Sequence, residues 1–216
     1  MTVWFATGNA HKKKELAEIL AAHGCAFKLC VPGDAGLDFD PEETENSFHG
    51  NALLKAGALY ELLRKTRPPL FADGDPIIAD DSGICVDALG GRPGIYSARY
   101  AGAPGAEVPG ARKLESRERN ALLLAELGDG PVRTARFVCA MALMFGPERF
   151  FVSQETLEGE IVRNPELAGG TGGFGYDPIF FIPELGRTVA ELSGEEKNTI
   201  SHRGRAGRRV AAILGA

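Results

Sequence analysis

The sequence predicts an α/β protein, and three observations carry that prediction. Strand-like and helix-like segments are mixed along all 216 residues. "RTARFVCAMALMF", residues 133–145, is a nearly continuous apolar run of the kind a central strand buried on both faces carries. No self-similarity recurs at a period of about 20–50 residues, which excludes repeat architectures.

The elements follow in chain order. "VWFAT" reads as a strand and "GNAHKKKELAEILAAHG" as a turn and a helix, with Leu16, Ile19, Leu20 and His23 at helical spacing and Gly24 closing it. "FKLCVPG" is a short strand ending at Pro32. The acidic loop "DAGLDFDPEETEN" leads into a second helix, from about Ser47 to Arg64, that "RPP" breaks off. "PIIADDSGICVDAL" is expected to form a strand, a turn and further extended chain, and "GGRPGIYSARYAG" a loop. "GAPGAEVPG", residues 102–110, has the composition of a linker or surface loop. "ESRERNALLLAELG" is a third amphipathic helix, and "ERFFVSQETLEGEIV" is expected to give two edge-capable strands. "GGTGGFGYDPIFFIP" is a glycine loop entering a strand, and "RRVAAIL" ends the last helix.

Length is sufficient for one sizeable core, and a single domain spanning 1–216 with two lobes is the expectation. Hydrophobic content of 44% and charged content of 25% are those of an ordinary globular protein. A net charge of −5 argues against a protein that wraps duplex nucleic acid. The chain enters a strand-like segment directly, without the order of a signal peptide, and no apolar run approaches the ~18 residues of a membrane span. A soluble, cytoplasmic protein with no membrane partner is expected. Cys25, Cys30, Cys85 and Cys139 fit neither a CxxC pair nor a zinc spacing and read as buried, reduced thiols.

Several segments break local rules. In "IIADDSG" two apolar β-formers run into paired carboxylates, Asp80 and Asp81, either as a polar strand end or as the seat of something positive. With Asn9 as N-cap, Lys12, Lys13 and Lys14 crowd a first turn where the macrodipole favours acids. They are either a solvated face or, with the Thr7-Gly8-Asn9 turn, an anion site. Gly169, Gly170, Gly172, Gly173 and Gly175 surround Phe174, which suits either a glycine-rich hairpin or a ring stacked on a nucleobase. Ser193 with Glu196 resembles a capping box, and Lys197, His202 and Arg203 are placed on or near turns from which they could reach one pocket. Arg205, Arg208 and Arg209 read as a solvated helix face. Asp40, Glu42, Glu43 and Glu45 precede a helix start, and Lys55 follows Asn51 by one turn on one helix face. Carboxylates for a hard cation, lysines for phosphates and an aromatic ring with His and Arg for a base together match a nucleoside triphosphate with magnesium.

These segments resemble the inosine triphosphate pyrophosphatase family, enzymes that hydrolyse non-standard purine nucleoside triphosphates. The resemblance lies in "FATGNAHKKKEL", "ETENSFHGNALLKA", "IADDSGICVDALGGRPGIYSARYAG", "TGGFGYDPIFF" and "AELSGEEKNTISHRGRA", in family order over most of the chain. It implies an elongated, strongly twisted mixed β-sheet flanked by helices, two lobes with a central cleft, a homodimer and Mg²⁺ as cofactor. Thr7, Gly8, Asn9 and Lys12 would hold the triphosphate, with Lys55. Glu43 and Asp81 would be metal ligands, Asp81 also the base for the attacking water, and Ser82 would touch substrate. Phe174, Gly175, Tyr176 and Asp177 would form the nucleoside pocket, and Lys197, His202 and Arg203 would close over base and sugar-phosphate. Because neighbouring strand residues alternate in direction, one carboxylate, Asp81, is expected to face the metal, with Asp80 orienting the loop or binding through water.

One departure stands out. Many relatives carry an acid immediately before the asparagine of the second motif, where this chain has Gly50 preceded by His49. Either helix packing or a contact beside the metal's ligands should differ here. The rivals are a pyrophosphatase for pyrimidine or modified nucleotides, a nucleic-acid-binding module using the lysines and the arginine-rich C-terminus, and a non-catalytic nucleotide sensor. The "SHRGRA" and "FGYDP" segments favour purines. Nucleic-acid binding leaves Glu43 and Asp81 without a role, and the sensor conflicts with a full set of matched acidic and basic residues.

Overall fold

Strand β1, Thr2–Phe5, buries Val3, Trp4 and Phe5 completely, and its alternating side chains start two different cores. This is a computed structural model, and it describes residues 1–25, 27–101, 114–163, 170 and 172–215. The expected linker at 102–110 and Gly169 lie outside the described residues.

Helix α1, Ala10–Ala22, follows β1 and leads to β2, Lys28–Cys30, which pairs parallel to β1. Helix α2, Phe48–Thr66, leads to β3, Ile77–Val86, parallel to β1 on its other side. Helix α3 is Ser116–Leu127. Strands β4, Thr134–Gly146, and β5, Arg149–Ile161, are sheet neighbours joined by a two-residue turn. Strands β6, Phe180–Ile182, and β7, Arg187–Thr188, follow antiparallel to β5 and to each other. The strand order β2-β1-β3-β4-β5-β6-β7 thus makes one mixed sheet, as expected for the α/β class. Helices α4, Gly194–Ile200, and α5, His202–Leu214, close the chain.

The chain divides into two compact units: residues Met1–Asp81, Cys139–Glu155 and Ser201–Ala216, and residues Ser82–Val138 and Thr156–Ile200. In the first unit, Trp4, Ile77, Ala79, Ala140 and Ala142 pack against Ala52, Ala56, Leu59 and Leu63 of α2. The opposite side of the same strands, with Val3, Phe5, Ile78, Cys139 and Met141, packs against Leu16 and Leu20 of α1 and Ala206, Val210 and Leu214 of α5. Small residues facing α2 let helix and sheet approach closely. The second unit is built around Ile84, Leu123, Phe137, Leu157, Tyr176 and Phe180.

Four local expectations are corrected. No turn interrupts "IIADDSG": β3 runs unbroken, and Gly83 serves a close approach. A Cβ there would lie 2.2 Å from Gly94 O and 2.4 Å from Ser97 Oγ, whose hydroxyl accepts from Ile84 N–H. The neighbouring "loop" contains a 3₁₀ helix, Gly94–Arg99. Residues 149–161 form one strand between β4 and β6 rather than two edge strands; Gly159 makes room for the Phe180 ring. His23 caps α1 instead of joining its apolar stripe, with Nδ1 2.8 Å from Ile19 O. All four cysteines are free; three are buried and Cys85 is half-buried. No described helix is long and apolar enough to cross a membrane.

Candidate active site

The first unit gathers carboxylates and cations on both sides of β3. Residue alternation sends Asp80 to the side of α1 and α5, and Asp81 to the side of α2. Both are buried. Each therefore meets its own positive partners.

Asp80 Oδ1 accepts from Lys12 Nζ at 3.0 Å, and its Oδ2 accepts from Arg203 Nη2 at 3.0 Å and Nε at 3.2 Å. Arg203 Nη1 donates to Glu15 at 2.7 Å, so three nitrogens of this buried guanidinium are engaged. Burial opposes ionisation of Asp80, but Lys12 and Arg203 outweigh it and hold the carboxyl well below its ordinary range. Burial likewise opposes the charge on Arg203, which Asp80 and Glu15 more than restore.

Across the sheet, Lys55 Nζ donates to Glu43 Oε1 at 2.7 Å and to Asp81 Oδ1 at 3.2 Å. Asn51 Nδ2 donates to Asp81 Oδ2 at 3.3 Å. Burial pushes the Asp81 carboxyl above its ordinary value; Lys55 opposes this and Glu43 adds to it. Burial would depress Lys55, yet Asp81, Asp80 and Glu43 together raise it. The two neighbouring aspartates thus shift in opposite directions because their surroundings differ.

Asn9 is the N-cap of α1, its Oδ1 accepting from His11 N–H at 2.9 Å and Lys12 N–H at 3.3 Å, while its own N–H donates to Thr7 Oγ1. Those amides are taken, so the helix offers an anion its positive end and the Lys12 ammonium. Lys13 pairs with Asp34, and Lys14 lies 3.9 Å from Glu18, both at the surface. Gly8 and Asn9 are exposed.

In the second unit, Asp177 Oδ2 accepts from Phe174 N–H at 2.7 Å and from Lys197 Nζ at 2.8 Å. The same ammonium lies 4.6 Å from the Phe174 ring centroid, a cation–π contact. Gly173 and Gly175 have φ of +73° and +66°, and a Cβ on Gly173 would lie 2.2 Å from Asp177 Oδ2. Asn120 Nδ2 donates to Gly175 O, and Tyr176 Oη donates to Ser97 O at 2.9 Å. Asp177 and Tyr176 are buried supports, whereas Phe174 keeps a half-exposed ring. Burial pushes the Tyr176 phenol well up.

Ser82 is half-buried and opens the second unit's share of β3. Lys197 lies within α4 rather than on a turn, and His202 and Arg203 begin α5, whose N-cap Ser201 accepts from Gly204 N–H at 3.0 Å. The Ser193–Glu196 capping box forms reciprocally. Lys12, Glu43, Lys55, Asp80, Asp81 and Arg203 are thus brought together around β3 in the first unit. Phe174, Gly175, Tyr176, Asp177 and Lys197 make a cluster of their own in the second. Glu15 and Asn51 are the participants that sequence reading leaves out of the site. Only the shared helix face of Asn51 and Lys55 hinted at one of them.

The donor set can be tested against Mg²⁺. Among the described residues no group of three His, Cys, Asp or Glu side chains is placed to hold a metal. Mg²⁺, however, commonly takes one or two carboxylates and completes its octahedron with waters and substrate phosphates. Glu43 and Asp81 converge on a single ammonium, and Asp81 sits where crowding and burial disfavour its charge. Two hard oxygen donors aimed at one cation position fit the ion.

Comparison with known proteins places the chain in a family. Residues 3–213 match the model of the Ham1 family. The dITP/XTP pyrophosphatase of Treponema denticola is 44% identical over 206 residues, covering 95% of this chain and 94% of that protein. The enzyme of the same name from Geobacillus kaustophilus is 44% identical over 207 residues, covering 93% and 88%. Among solved structures, the Staphylococcus aureus Ham1 protein superposes with a TM-score of 0.78 at 35% identity, over 100% of this chain and 98% of that one. With a family match along nearly its whole length, this chain belongs to the Ham1 family.

Proposed function

We propose that the chain hydrolyses non-canonical purine nucleoside triphosphates (ITP, dITP and XTP) to the monophosphate and pyrophosphate, with Mg²⁺. The observation that carries this reading is the Lys55 ammonium held jointly by Glu43 of the acidic segment and Asp81 of the buried strand β3, one cation between two carboxylates. Similarity to dITP/XTP pyrophosphatases supports the substrate class.

Glu43 and Asp81 would hold Mg²⁺ together with phosphate oxygens; when bound, the ion offsets phosphate charge and polarises the phosphoryl group. Asp81 is the base. Its carboxylate takes the proton of the attacking water. The water then attacks the α-phosphorus in line, the α–β bridging P–O bond breaks, and pyrophosphate leaves. Lys12 and Lys55 offset charge that one divalent ion cannot cancel in a triphosphate of about four negative charges. Thr7, Gly8 and Asn9 bring the positive end of α1 to the phosphates. Asp80 keeps the Lys12 ammonium in place, and Arg203 orders Asp80.

For the nucleoside, Phe174 offers a face for stacking, with Gly175, Tyr176, Asp177 and Lys197 fixing its position. A 6-oxo purine presents an acceptor where adenine presents a 6-amino donor. Buried N–H donors match the first and leave the second unmatched, worth about 1–3 kcal/mol per group.

The assay is Mg²⁺-dependent turnover of ITP, dITP, XTP, ATP, GTP and UTP, with pyrophosphate and orthophosphate measured separately. Fast release of pyrophosphate from the first three, and little from the others, is expected. Orthophosphate as the sole product, without contaminating inorganic pyrophosphatase, contradicts attack at the α-phosphorus.

A further inference from the structure

Asn51 is wholly buried within α2, one turn before Lys55. Its Oδ1 accepts from Glu45 N–H at 3.1 Å, and its Nδ2 donates to Asp81 Oδ2 at 3.3 Å. Chemistry fixes the amide's orientation: the backbone N–H can only donate and the carboxylate only accept, so a flipped amide would lose both bonds. The other Asp81 oxygen goes to Lys55, which also holds Glu43. Two residues one turn apart therefore each link Asp81 to the acidic segment. That segment has no regular secondary structure of its own from 37 to 45.

Gly50 supplies an independent observation. A Cβ at this position would lie 2.8 Å from Glu45 Cβ and 2.9 Å from Ser47 Oγ. The bare glycine lets Glu45 press against the first turn of α2, where the Asn51 amide reaches its N–H. The Lys55 link is ionic and must readjust when a divalent ion and phosphates enter. The Asn51 link is neutral and uses the oxygen of Asp81 that Lys55 does not take.

We propose that Asn51 is a positioning residue that couples the acidic segment 42–45 to Asp81, so that Glu43 and Asp81 are presented as one ligand pair. This rests on the roles given above to those two carboxylates.

The test uses the full chain, first without nucleotide. Glu45 N–H should exchange with solvent at least about tenfold more slowly than an unprotected amide, and Asn51→Ala should remove most of that protection. Asn51→Asp keeps an acceptor for Glu45 but has no donor for Asp81, so protection should persist. With Mg²⁺ and dITP, both variants should lose about 10–100-fold in kcat and require about tenfold more Mg²⁺ for half-maximal rate, with KM for dITP little changed. Thermal melts establish that each variant is folded. Wild-type exchange at the unprotected rate overturns the proposal, and so does Asn51→Asp with wild-type kcat and Mg²⁺ demand. If neither variant folds, the wild-type exchange rate decides. Protection of Glu45 in a wild-type protein that releases no pyrophosphate overturns the roles of Glu43 and Asp81, and the coupling with them, while leaving the tether itself intact.

Discussion

Asp80 and Asp81 are adjacent carboxylates buried in one strand, and they coexist because alternation gives each its own cations. Their different surroundings predict different consequences of the same substitution. Asp81→Asn removes the base and one proposed metal ligand, so kcat should fall at least about 10²–10⁴-fold while the melting curve stays close to wild type. Steady-state kinetics beside a thermal melt checks this, and near-wild-type turnover would remove Asp81 from the mechanism. Asp80→Asn should act on stability. It leaves Lys12 and Arg203 without their buried counter-charge, at a cost of about 3 kcal/mol at neutral pH. The sign with pH follows from the depressed carboxyl: its stabilisation is present above the unfolded value of about 3.9 and is lost as pH falls below it. The gap between wild type and variant should therefore narrow below about pH 4, which urea titrations at several pH values would read. A constant gap would contradict the depressed pKa.

At the scale of elements, the first turn of α2 sets the acidic segment. Glycine inside a helix usually gives up about 0.5–1 kcal/mol relative to alanine, so Gly50→Ala should stabilise an ordinary helix. Here the new methyl meets Glu45 Cβ, which belongs to the chain rather than to a flexible tip. Gly50→Ala should instead lower kcat several-fold and fail to raise the melting temperature; a more stable, fully active variant would refute the contact. Much at this scale was legible in the sequence. Helix α1, its Asn9 cap, α2 with its break before Pro68, and the buried β4 all follow from periodicity and capping. Gly83, in the segment expected to turn, and Gly159, in the segment expected to split into two strands, show the limit: a glycine that admits a neighbour looks the same in sequence as one that makes a turn. What lies against them, Gly94, Ser97 and Phe180, is set by tertiary packing. The same holds for Glu15: an acid on α1 says nothing of the arginine 188 residues away that it meets.

At the scale of the whole molecule, Lys12, Glu43, Lys55 and Asp81 belong to one compact unit, and Phe174, Asp177 and Lys197 to the other. Motif order named the candidate residues in both groups, while their partners came only from the fold. Arg203, expected to close over base and sugar-phosphate, donates to Asp80 and Glu15. The central claim is that a water activated at Asp81 attacks the α-phosphorus. Hydrolysis of dITP with Mg²⁺ in ¹⁸O-labelled water, followed by mass spectrometry of both products, tests it most directly. The label is predicted in the nucleoside monophosphate and absent from pyrophosphate; label in pyrophosphate would place the attack elsewhere and contradict the account.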